Sequence, residues 1–188
     1  MIHLYLDIDG VLNAYDRLEH TPSDWPSGYR PIIAGGYILI VADDCVARLN
    51  ALIAEHGIVP HWLTSWEKTA QEAGPMIGLK GSESWPWFEA RGFTQRAWTK
   101  HTSIRDHLEQ TQPELAFWLD DDLAHVRTAR EWADQHPGLH AYAPDPTHGI
   151  TPAILDDIER AIKAHAARGP YEGGKATLIA EHEATERG

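Results

Sequence analysis

The run Ile2-His3-Leu4-Tyr5-Leu6 ends abruptly in Asp7-Ile8-Asp9-Gly10. A short apolar segment closed by acids and a glycine turn reads as a buried parallel strand with its polar residues at the carboxyl end. A strand buried on both faces needs helices on both faces. Strands alternating with helices along the rest of the chain then point to an α/β architecture.

The rest of the chain fits that expectation. Residues 14–37 hold Pro22, Pro26, Pro31, Gly28, Gly35 and Gly36 among Tyr15, Trp25, Tyr29 and Tyr37. They predict an ordered aromatic loop or hairpin, a small flap. Residues 38–41 read as a strand. Residues 43–56 read as a helix with Cys45, Leu49, Leu52 and Ile53 on one face, Asp43 or Asp44 as cap and Gly57 as terminator. Ile58 to Leu63 is a second buried strand, ending in Thr64-Ser65, before a helix over 66–73 limited by Pro75.

Residues 78–99, with Trp85, Trp87, Phe88, Phe93 and Trp98, are expected to hide a third short strand. A helix over 102–110, a strand over 115–119 ending in Asp120-Asp121-Asp122, a helix over 123–135 and a strand over 139–142 follow. Thr151-Pro152 opens the clearest helix, Thr as cap and Pro in the first turn, with Ile154, Ile158, Ala161, Ile162 and His165 on one face. Residues 169–188 are Gly-rich, then polar, and read as a loosely packed tail. The expected fold is one domain over 1–168, a three-layer α/β/α Rossmann-like sandwich with a central parallel sheet and a minimal cap.

Three strands carry polar residues at one edge, where such sheets bind ligands: Asp7 and Asp9, Thr64 and Ser65, Asp120 to Asp122. Carboxylates converging there would repel one another and raise each other's pKa. A hard cation removes that conflict, and Mg²⁺ favours a few carboxylates together with a substrate phosphate. Thr64, at a strand-to-helix turn, can help to hold an anion. Lys100 lies upstream of the Asp120 strand and can offset charge at the same edge.

Asp7-Ile8-Asp9-Gly10-Val11, then Thr64, then Lys100, then Trp118-Leu119-Asp120-Asp121 resembles the haloacid dehalogenase-like (HAD) superfamily of phosphohydrolases, over about residues 2–165. Asp145-Pro146-Thr147-His148-Gly149-Ile150-Thr151 looks like the close of that fold. Asp7 to Asn13, Trp62-Leu63-Thr64-Ser65-Trp66 and the Trp-rich middle are most similar to the HAD domains associated with RNA-repair proteins. The resemblance implies Mg²⁺-dependent phosphomonoester hydrolysis. Asp7 would be the nucleophile that becomes an aspartyl phosphate, and Asp9 the general acid and base. Mg²⁺ would be held by Asp7, the backbone carbonyl of Asp9, and Asp121 or Asp120. Thr64, Ser65 and Lys100 would bind the phosphoryl oxygens. Asp122 leaves the register of the last motif open by one residue, Thr64 and Ser65 can exchange roles, and Lys80 is a second candidate for Lys100.

Each residue also has a plainer reading. A D-x-D can be a turn, one of Asp120 to Asp122 can cap the next helix, Thr64 can be a cap and Lys100 a solvated lysine; their joint order favours the site. Cys45 reads as inert core. The twelve histidines are scattered along the chain, and no zinc site is expected from them. Trp25, Trp66, Trp85 and Trp87 flank the predicted edge and are candidates to stack on a substrate ring. A net charge of −12 argues against an extended nucleic-acid clamp but not against a nucleic-acid end. The expected ligand is a phosphorylated small molecule, a nucleotide or a nucleic-acid terminus; an idle binding domain on the same fold is the competing class. A lone cysteine, no membrane-spanning apolar run and no signal-peptide pattern at the amino end lead to a cytoplasmic expectation.

Overall fold

The computed structural model describes residues 1–92 and 98–168. Strands β1 (Ile2–Leu6), β4 (Val59–Trp62), β5 (Leu115–Leu119) and β6 (Leu139–Tyr142) form a parallel sheet in the order β4-β1-β5-β6. A separate antiparallel hairpin joins β2 (Arg30–Ala34) to β3 (Tyr37–Val41). The helices are α1 (Asp43–His56), α2 (Ala70–Ile77), α3 (Thr99–Thr111), α4 (Arg127–Gln135) and α5 (Pro152–Ala167).

Period-two alternation divides the sheet into two cores. Leu4 and Leu6 of β1 pack with Phe117 and Leu119 of β5, Leu49 and Leu52 of α1, and Leu155, Ile158 and Ile162 of α5. Tyr5, Ala116 and Trp118 face the other way, against Ile104 and Leu108 of α3 and Ala129 and Ala133 of α4. The expected three layers are therefore present. Trp62 and Trp118 are fully buried, and each large side chain buried in this way contributes on the order of 1.5–3 kcal/mol.

The register places the three polar strand ends side by side. Leu6 is level with Trp62 and with Leu119. The Leu63 amide donates to Leu6, and the Asp7 amide to Leu119. Asp7, Thr64 and Asp120 thus leave the sheet at one edge.

Several local expectations change. The flap region contains the strand β2, and β3 pairs with it rather than with the central sheet. Gly35 and Gly36, with φ of 56° and 83°, form the two-residue turn that a tight hairpin requires. Neither Asp43 nor Asp44 caps α1; Asp43 binds Arg30 and Asp44 accepts from Ser27, while Gly57 does close the helix. Helix α2 runs through Pro75 and ends at Gly78. Pro75 forfeits one hydrogen bond near the carboxyl end, and burial of Ala70, Ala73 and Ile77 holds the helix there. Of the third strand expected within 78–99, the described residues show an isolated bridge between Trp62 and Trp87, and residues 93–97 lie outside them. Helix α3 begins three residues before the expected start, which puts Lys100 in its first turn. The helix expected over 123–135 is a 3₁₀ turn, Asp121–Ala124, followed by α4. In α5 the buried residues are Leu155, Ile158 and Ile162, so Leu155 joins the expected apolar face. The tail expected over 169–188, and Phe93, lie outside the described residues.

Candidate active site

Asp7 follows β1 and is buried. Its Oδ1 accepts the Ile8 amide at 2.7 Å, and its Oδ2 accepts the Lys100 ammonium. Lys100 reaches this position from the first turn of α3 and lies 2.9 Å from Asp120 Oδ2. The ammonium approaches Asp120 outside hydrogen-bonding geometry, so this buried oxygen has an ion pair but no hydrogen-bond donor. One carboxylate oxygen from each of Asp7, Asp120 and Asp121 lies within 4.8 Å of the others.

Three carboxylates against one ammonium leave two negative charges uncompensated. Burial pushes the Asp7 and Asp120 carboxyls up; Asp7's own charge adds to the rise at Asp120, and Lys100 opposes both shifts. Burial and the charges of Asp7 and Asp122 push Asp121 up to about 6. Burial alone would lower Lys100, but Asp7 and Asp120 outweigh it and hold the ammonium above the usual range. An all-carboxylate donor set, a surplus of two charges and a buried Asp120 oxygen whose one partner is an ion pair fit a hard divalent cation such as Mg²⁺. Among the described residues Asp7, Asp120 and Asp121 form a group that could hold such an ion.

Gly10 lets the two acidic segments meet. Its φ is 68°, and a Cβ there would overlap the Asp121 carboxylate. Asp122 sits on the rim, half exposed and 3.9 Å from Lys100. Its amide donates to Asp120 Oδ1, so Asp120 is the residue that caps the 3₁₀ turn.

The Asp9 carboxylate lines the same cleft but is held by partners outside this cluster. Its Oδ1 accepts from Asn13 Nδ2 at 2.8 Å and its Oδ2 from the Trp66 indole N–H at 2.9 Å. Asn13 also accepts the Ile40 amide, tying the loop after β1 to the hairpin. The Trp66 ring fits against Gly35, where a Cβ would come within 2.7 Å, and meets Tyr37 edge-on at 5.5 Å.

The Thr64 hydroxyl is buried beside Asp7, whose carboxyl it helps to lower, and it accepts the Trp66 amide at 3.3 Å. It therefore shapes the turn and faces the acid at once. Ser65 lies on the exposed rim of both adjoining clefts. Lys80 is elsewhere, beside Asn50 and Arg30, so Lys100 is the lysine of this site.

Two open clefts meet here. One, of about 480 Å³, is lined by Asp7, Asp9, Lys100, Asp121 and Tyr15. The other, of about 570 Å³, is lined by Asp9, Asn13, Tyr37, Trp66 and Arg91. Of the four tryptophans considered for stacking, Trp25 and Trp85 are core residues, the first bonded to the Ile150 carbonyl and the second packed on Trp62. Trp87 is exposed but lines neither of these clefts, which leaves Trp66. Sequence reasoning did not assign Asn13, Tyr15, Tyr37 or Arg91 to the site; the hairpin and loops bring them in, and nothing in strand-end spacing signals that.

A family model described as the HAD domain in Swiss Army Knife RNA repair proteins matches residues 3–157. No curated protein and no solved structure matches the chain.

Proposed function

The chain belongs to the family of HAD domains in Swiss Army Knife RNA repair proteins, and we propose that it is a Mg²⁺-dependent phosphomonoesterase acting on a nucleotide or a nucleic-acid terminal phosphate. The observation that carries this reading is the buried contact of Asp7 with Lys100, set in a cluster with Asp120 and Asp121 at the carboxyl edge of the sheet.

Asp7, Asp120 and Asp121 would hold the ion, which when bound offsets charge on the carboxylates and the phosphoryl oxygens. Asp7 Oδ attacks phosphorus; the bond to the departing oxygen breaks and that oxygen takes a proton from Asp9. Water then attacks the aspartyl phosphate, giving its proton back to Asp9 and releasing phosphate. Both Asp9 oxygens accept hydrogen bonds from Asn13 and Trp66, which fixes the carboxylate's direction and leaves a lone pair on each for this exchange. Lys100 and the Thr64 hydroxyl stabilise charge on the transferred group.

The second cleft supports the substrate class. It is open, its wall carries Trp66 and the exposed Tyr37, and Arg91 adds a cation. Aromatic faces suit a nucleobase, and a cation suits a further phosphate. The family's association with RNA repair proteins agrees. A panel of phosphorylated metabolites, nucleotides and oligonucleotides with 3′- or 5′-phosphates tests the reading. The expected result is Mg²⁺-dependent phosphate release, fastest from the nucleotide-containing members. Faster turnover of small non-nucleotide esters would overturn the substrate class, and no release from any member would overturn the enzyme.

A further inference from the structure

The face of the sheet beneath α3 holds a second group of ligating side chains, one that the scattered positions of the histidines in the chain had concealed. His3 of β1, His61 of β4 and His107 of α3 each place one ring nitrogen within 4.8 Å of the others. Their ring centres are 4.9, 5.5 and 4.8 Å apart. Three imidazoles around one tetrahedral ion, with metal–nitrogen bonds of about 2.0–2.1 Å, have ring centres roughly 5 Å apart. The backbone has thus already set the rings at ligating separation.

The hydrogen-bond inventory leaves a place for a cation. A neutral imidazole has one donor and one acceptor to satisfy. His61 is only 4% exposed, yet neither of its ring nitrogens has a partner. The Tyr5 hydroxyl, also buried, lies 2.7 Å from His107 Nδ1 and 3.4 Å from His3 Nδ1, so it orients two of the rings. The sulfur of Met1 lies 2.9 Å from His3 Nε2. Phe88 packs on His61 and His107 and gives the group an apolar wall. His107 is the least buried of the three.

We propose that His3, His61 and His107 form a second metal site, distinct from the carboxylate cluster, that takes a borderline transition-metal cation of the Zn²⁺ class. The ligand set has no carboxylate, which disfavours Mg²⁺ and suits an imidazole-seeking ion. Its position gives it a structural role. His3 shares β1 with the approach to Asp7, His61 lies three residues before Thr64, and His107 lies two helical turns beyond Lys100. One ion here would clamp together the three elements that carry those side chains.

The experiment reads metal, not catalysis. The full chain is stripped with chelator and titrated with Zn²⁺ while millimolar Mg²⁺ is present, and retained zinc is counted by elemental analysis. Co²⁺ in place of Zn²⁺ reports tetrahedral nitrogen ligation by its visible absorption. Wild type is expected to retain one Zn²⁺ per chain, with affinity falling at least tenfold in His61→Phe and in His107→Gln and unchanged in Asp121→Asn. His107→Gln, at the least buried of the three positions, keeps the test decisive where His61→Phe fails to fold. No retained zinc, or zinc lost in Asp121→Asn and kept in His107→Gln, would overturn the site.

Discussion

The indole N–H of Trp66 donates to Asp9 Oδ2 at 2.9 Å, across fifty-seven positions of sequence. A ring that composition alone marks as core or stacking surface is, in the fold, the group that aims a carboxylate. Trp66 belongs to the turn after β4 and Asp9 to the turn after β1, neighbours in the sheet. Their contact follows from strand order and from the glycine at position 35, which makes room for the ring.

Trp66→Phe keeps the ring against Gly35 and removes the donor. If Trp66 positions Asp9, kcat on an alkyl phosphate should fall on the order of 10-fold, a part of the 10²–10⁴-fold typical of acid–base catalysis. The first step on an activated aryl ester, whose leaving group needs little protonation, should be nearly unchanged. Equal loss on both esters would assign Trp66 to packing alone.

Lys100 is buried between Asp7 and Asp120. Lys100→Met keeps the stem and removes the charge, leaving buried carboxylates uncompensated. Breaking one partner out of a buried ionic group typically destabilises by about 3–5 kcal/mol. Urea unfolding in chelator should show a loss of that order, with part of it restored by Mg²⁺. A variant as stable as wild type in chelator would mean that Lys100 does not hold the cluster together.

Asp121 is pushed up to about 6 by burial and by Asp7 and Asp122. In the metal-free protein the folded state therefore holds a proton that the unfolded chain releases above about pH 4. The stability this supplies is complete below the unfolded value and is lost as pH rises through about 6. Asp121→Asn has no such loss. Discounted for its partial exposure, the variant should be more stable than wild type by roughly 1–2 kcal/mol at pH 8 in chelator, the gap closing at pH 3.5. Thermal melts at both pH values check this; a gap that widens on acidification would contradict the sign.

Gly10→Ala adds a methyl group where the Asp121 carboxylate sits, at a φ of 68°. Both the overlap and the left-handed backbone oppose it, and strain of this kind amounts to about 1–3 kcal/mol. Mg²⁺ affinity, followed by thermal shift against Mg²⁺ concentration, should fall at least tenfold. Unchanged affinity would place the ion away from Asp121.

Strand ends were the legible part of this chain. Asp7, Thr64 and Asp120 were readable because a buried strand that stops in polar residues states both its position and its edge. Lys100 was readable by order, although its helix was expected to start after it; Thr99-Lys100-His101 carries no apolar signal, and an ion pair holds that turn in place. The hairpin's share in the site was not legible, because Tyr37 reaches Trp66 only through the Gly35-Gly36 turn and Asn13 meets the hairpin only at the Ile40 amide. The three histidines were hidden for the same reason. They stand on separate elements with no spacing in common; parallel register sets His61 level with Tyr5, and His3, two residues before Tyr5 on the same face, meets it only diagonally, ring centres 4.9 Å apart. Burial lowers His3 to about 4 and His61 to about 3, further marks of an interior group that position in the chain does not reveal.

The proposed chemistry rests on Asp7 as the phosphorylated nucleophile. The direct measurement is rapid-quench trapping with an oligonucleotide carrying a radiolabelled terminal phosphate, in Mg²⁺, on wild type, Asp9→Asn and Asp7→Asn. Asp9→Asn slows the attack of water, so label should accumulate on the protein and map by peptide analysis to Asp7, and Asp7→Asn should carry none. Label on a histidine or serine, or phosphate release by Asp7→Asn at the wild-type rate, would contradict it.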